Sequence, residues 1–140
     1  MTTAILSFFG VIFGAGLQYV FTRYLENQRH FRALRTQAHM DYLKCVCDHA
    51  NLRPRPQESE IRQLFARTAD AKARICLYGS TESIRTFAIF EKLGAAMQSA
   101  EQRSAFIAMV AAMRRDSGSK SEPKGEDLQR VLLGNRGTAA

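Results

Sequence analysis

TTAILSFFGVIFGAGLQYVFT, residues 2–22, contains no charged side chain, and its reading decides the fold expected of this 140-residue chain. As a helix rising 1.5 Å per residue it would extend roughly 31 Å, the thickness of a bilayer's hydrocarbon core. Tyr19, Phe21 and Tyr24 stand where an aromatic belt would meet the interface. The stretch therefore reads as a transmembrane anchor over residues 1–22. A secretory signal peptide is the rival, with Gly14-Ala15-Gly16 as a small-residue cleavage site. Against that rival, no basic residue precedes the apolar run, and the run continues past the triplet to Phe21. Gly10 and Gly14 share one helix face, continued by Leu17 and Phe21, which predicts homo-oligomerisation through close backbone approach.

Outward from this stretch the chain turns basic. The formal net charge is +7, and residues 23–55 hold Arg23, Arg29, Arg32, Arg35, Lys44, Arg53 and Arg55 against Glu26, Asp41 and Asp48. Arg23, Arg29, Arg32 and Arg35 are expected at the membrane surface. By the positive-inside rule they place the body in the cytoplasm and the N-terminus outside. Three cysteines without framework spacing fit a reducing compartment. The basic charge also admits RNA as a partner, although no interleaved aromatic platform accompanies it.

Residues 22–50 contain neither Gly nor Pro, so the helix should continue as one rod. Its core stripe is Phe31, Leu34, Ala38, Tyr42, Cys45 and Val46, and Pro54 and Pro56 end it. A second helix is expected over about residues 57–78, burying Ile61, Leu64, Phe65, Thr68, Ile75 and Cys76 and stopped by Gly79. A third, capped by Ser80 or Thr81, should run to about Gln98, with Gly94 weakening but not breaking it. Of its aromatics, Phe87 is expected to lie deeper than Phe90, against Leu64 or Phe65. Ser99 and Gln102 form a capping-box pattern for a fourth helix with Phe106, Ile107, Met109, Val110 and Met113 inward. Residues 117–140 read as a polar linker, a short amphipathic helix and a tail. The fold class is all-α: one N-terminal transmembrane helix continuing into an antiparallel up-down bundle over residues 23–116.

Few constellations could carry chemistry. Cys45 and His49 share a helix face, but Cys47 and Cys76 cannot complete a ligand set, so no metal is expected. No cofactor motif and no small-molecule substrate signature is evident. Arg32 and His39, with six residues between them, lie two turns apart on one face. There Arg would stabilise developing charge and His would act as acid or base. The pair resembles the Arg–His signature of HEPN ribonucleases, which are small helical bundles. Ala33 stands where those sites carry a polar residue. The competing reading has Arg32, Arg35 and His39 lining a solvated helix edge.

Three stretches together carry a broader resemblance: the apolar segment running into a basic rod, RICLYGSTESIRTFAIF at residues 74–90, and MVAAMRRDSG at residues 109–118. The chain is similar to uncharacterised bacterial single-pass membrane proteins with a YGS-type corner and an MRRD-type helix end. Its layout resembles the HEPN-like membrane accessory proteins of type VI-B CRISPR loci. The resemblance implies an oligomeric, pore-forming inner-membrane effector linked to phage defence, acting through the lipid bilayer and a protein or RNA partner. Only Arg32 and His39 would carry over as a catalytic pair.

Overall fold

The computed structural model describes residues 2–52 and 54–134, and side chains among them from Phe13 onward. Five helices follow one another: α1 (Thr2–Ala50), α2 (Glu58–Tyr78), α3 (Thr81–Lys92), α4 (Ala100–Asp116) and α5 (Gly125–Leu133). The described residues include no strand. The all-α expectation holds, and so does the rod: α1 is continuous for 49 residues. Asn51 closes its end by donating from both its backbone and its side chain to the Cys47 carbonyl, just ahead of Pro54.

The expected membrane-spanning segment does not stand. Among the described residues no helix is long and apolar enough to cross a membrane. The side chains described in α1 begin at Phe13, include the polar Gln18 and turn charged at Arg23, Glu26 and Arg29. Residues 2–12, which include Gly10, lie outside those whose side chains are described. The topology drawn from the positive-inside rule loses its basis with the span.

The chain divides into two compact units, residues 1–32 and 33–140. The second is the bundle, and its pairings show an antiparallel order. Arg67 of α2 reaches Asp48 of α1 at 3.1 Å, while Arg74, two turns on, reaches Asp41, two turns back, at 2.9 Å. In the α3–α4 pair, Phe90 packs on Phe106 with ring centroids 5.4 Å apart, and Glu82 meets Arg115 at 2.7 Å. The caps of α3 and α4 form as their sequence patterns require. Ser80 accepts from the Ser83 amide, and the Ser99 side chain accepts from the Gln102 amide while Gln102 accepts from the Ser99 amide.

Three expectations about this bundle need correction. Helix α3 stops at Lys92 instead of continuing to Gln98, because Gly94 (φ 90°) and Ala95 (φ 49°) take left-handed backbone that ends a helix. Phe90 is slightly deeper than Phe87, at 1% against 6% exposure. The reason is that α3 is covered on two sides: Phe87 meets Tyr42 of α1 edge-on at 4.8 Å, and Phe90 meets Phe106 of α4. Leu64 is buried, but Phe65 and Cys76 are exposed and Ala71 takes an inward position. Gly79 does end α2, though not through a positive φ. A Cβ there would lie 2.6 Å from the Ile75 carbonyl oxygen, which accepts the Gly79 N–H at 2.8 Å.

Candidate functional site

Two features of the bundle draw polar side chains inward. The first is a knot where α1 meets the α2–α3 corner and the end of α4. Arg35 donates from Nε to the Tyr78 carbonyl at 2.6 Å and from a terminal nitrogen to Asp116 Oδ1 at 2.8 Å. Asp116, only 3% exposed, accepts the Ser80 amide on Oδ2 at 2.9 Å, which holds the corner onto the α4 terminus. His39, also 3% exposed, fits between them: Nε2 lies 3.3 Å from Ser83 Oγ, and Nδ1 lies 3.5 Å from Ser117 Oγ. The Ser117 hydroxyl already donates to the Met113 carbonyl, so its oxygen is left to accept. That assigns the imidazole proton to Nδ1 and leaves the Nε2 lone pair for the Ser83 hydroxyl.

Burial lowers the His39 pKa below its ordinary value, against Asp116, which raises it; the Arg35 charge lowers it further. Burial thus favours the neutral ring. Ser83, His39 and Asp116 nevertheless do not form a hydrolytic triad. Such a relay needs the carboxylate on one ring nitrogen and the nucleophile on the other. Here Asp116 Oδ2, 3.7 Å away, and Ser83 both face Nε2, and Ser83 is fully buried. The knot clamps four helices together.

The second feature is a pocket of about 440 Å³, one turn further along α1. Cys45, Val46, Leu64 and Met97 give it apolar walls, and Tyr42, Lys72 and Glu91 form a hydrogen-bonded polar group in its lining. Glu91 accepts from Lys72 Nζ on Oε2 at 2.8 Å and from the Tyr42 hydroxyl on Oε1 at 3.4 Å. Burial, and then the Glu91 charge, push the Tyr42 hydroxyl pKa well up, so it remains a donor.

Arg32 and His39 stand seven residues apart on the continuous α1 but differ in exposure: Arg32 is exposed and His39 is buried. Of the expected membrane-surface cations, Arg23 donates to the Tyr19 hydroxyl at 2.9 Å and Arg29 is exposed. Arg35 and His39 do not line a solvated edge but engage the knot. Gly14 has nothing within 4 Å of an added Cβ, and Gly10 lies outside the described side chains. Among the described residues no three His, Cys, Asp or Glu side chains gather as a metal site would require.

Sequence reasoning missed the knot as a site, yet quoted every stretch that builds it. Arg35 and His39 come from the rod, Tyr78, Ser80 and Ser83 from the YGS corner, and Asp116 and Ser117 from the MRRDSG helix end. The pocket left no such signal, since Lys72 and Glu91 are charged residues 19 positions apart on different helices. Compared with protein-family models, curated proteins and solved structures, the chain matches none of them.

Proposed function

We propose that the protein is a non-catalytic interaction module that self-associates through the apolar part of α1, with the bundle as its folded head. The observation that carries this reading is a seam of exposed apolar side chains. Leu17 and Phe21 are 62% and 66% exposed, and Tyr24 is similarly open. With Gly14 they follow the alternating three- and four-residue spacing of a helix that packs on another helix. A surface of this kind is rarely left to water. A second copy offers an identical seam, and the open space at Gly14 leaves room for its backbone.

Analytical ultracentrifugation of the full chain in buffer tests this directly. A dimer or higher assembly is expected, dissociating in Leu17→Ser and Phe21→Ser variants whose circular dichroism is otherwise helical. A monomeric full chain, or flotation with phospholipid vesicles in place of self-association, overturns it. The ribonuclease alternative rests on Arg32 and His39, and the burial of His39 favours a structural part for that ring. Cleavage of labelled RNA by the purified chain, abolished in Arg32→Ala, would replace the interaction reading.

A further inference from the structure

The pocket beside Tyr42 is explained neither by self-association through α1 nor by the knot. Its volume of about 440 Å³ lies within the range of small-molecule sites, and its walls are mainly apolar, with His49, Thr68 and Gln98 lining it beside the linked Tyr42, Lys72 and Glu91. Those polar groups decide what head group fits. Lys72 and Glu91 are paired at 2.8 Å, so the linked group carries both charges and no net charge. An anionic head would gain Lys72 but meet Glu91, and a cationic head would gain Glu91 but meet Lys72. In either case a like charge stands within ion-pair distance, at a cost that partial burial enlarges. A neutral head that both accepts and donates escapes this conflict. Lys72 has spent one of three N–H donors, and the Glu91 carboxylate, which accepts from Lys72 and Tyr42, retains acceptor capacity.

We infer that the pocket binds an uncharged amphiphile: a single apolar chain lying against Cys45, Val46, Leu64 and Met97, with an amide or hydroxyl head. The head accepts from Lys72 and donates to Glu91. The Tyr42 hydroxyl, donating to the other carboxylate oxygen of Glu91, holds the carboxylate in place. Both charged groups come from helices of the bundle, α2 and α3, so the head-group site is set by helix packing and not by a loop.

The test compares three probes with one chain and different heads: octanamide, octanoate and octylammonium. Each is titrated into the isotopically labelled full chain, following backbone amide resonances of Val46, Thr68 and Met97. Octanamide should bind about tenfold more tightly than either ion, the ratio carried by one charge-assisted hydrogen bond. In the double variant Lys72→Met with Glu91→Gln the preference should vanish while chain binding persists. Equal affinity for all three probes in the wild-type protein, tighter binding of either ion, or no response to octanamide overturns the inference. So does an unaltered preference in the double variant. The wild-type series decides the matter even if the double variant does not fold.

Discussion

One helix carries two stretches that look alike in sequence and differ in fate. Residues 13–25 of α1 hold Phe13, Leu17, Tyr19, Val20, Phe21, Tyr24 and Leu25, all exposed. Further along the same helix, Ala38, His39, Tyr42 and Cys45 are buried. Hydrophobicity does not explain the difference, since the exposed stretch is the more apolar. The buried stretch has neighbours for which its side chains are shaped: Phe87 stands edge-on to Tyr42, and Asp116, Ser83 and Ser117 surround His39. An apolar periodicity says that a face must be covered. It does not say by what, and a polar residue such as His39 can sit deeper than a phenylalanine when its hydrogen bonds are met.

This contrast can be broken most forcefully at the knot. Asp116→Ala leaves the Arg35 guanidinium and the Ser80 amide without their buried acceptor. Asp116 is buried and Arg35 is 30% exposed, so losing the carboxylate and orphaning the Ser80 amide together cost about 3–5 kcal/mol. Against a total domain stability on the order of 5–15 kcal/mol, urea melts should show a bundle close to unfolding. A change below about 1 kcal/mol, the scale of an exposed ion pair, would mean the knot is decoration.

The aromatic pair comes next. Phe90→Ala and Phe87→Ala should each cost about 3–4 kcal/mol by urea melt, since both rings are buried against an aromatic neighbour. A large loss for one and almost none for the other would show α3 covered on a single side.

A smaller effect is expected from pH. His39 has its pKa lowered below 6.5 in the folded chain, so the unfolded chain takes up the proton first. Stability is therefore at its full value above about pH 6.5 and falls as pH drops from there through the folded pKa. Melts between pH 7.5 and about 5 should show this slope in the wild type and lose it in His39→Gln. An unchanged slope in the variant would assign the pH dependence to carboxylates instead.

The smallest effect belongs to the exposed seam. Leu17→Ser should change the bundle's urea midpoint by less than about 0.5 kcal/mol, as exposed substitutions do, even while it alters the assembly state. A larger loss would mean that this stretch supports the bundle directly.

The sequence by itself determined the helices and most of their ends, the C-terminus of α3 excepted. Periodicity, the Ser80 and Ser99 caps, Gly79 and the Pro54 turn are local signals, and each acts through bonds made within a few residues. The inward face of α4 was legible for the same reason. What a face meets is not local. Tertiary packing alone decided that Phe65 points out, that Phe90 is as buried as Phe87, and that Cys76 is exposed while Cys45 is not. It also decided the part His39 plays. Spacing along the rod paired it with Arg32, but its bonding partners lie 44 and 78 residues away, at Ser83 and Ser117. A one-dimensional motif counts neighbours along the helix, whereas burial and charge are set by whichever helices fold back on it. No spacing rule along α1 carries the positions of α3 and α4.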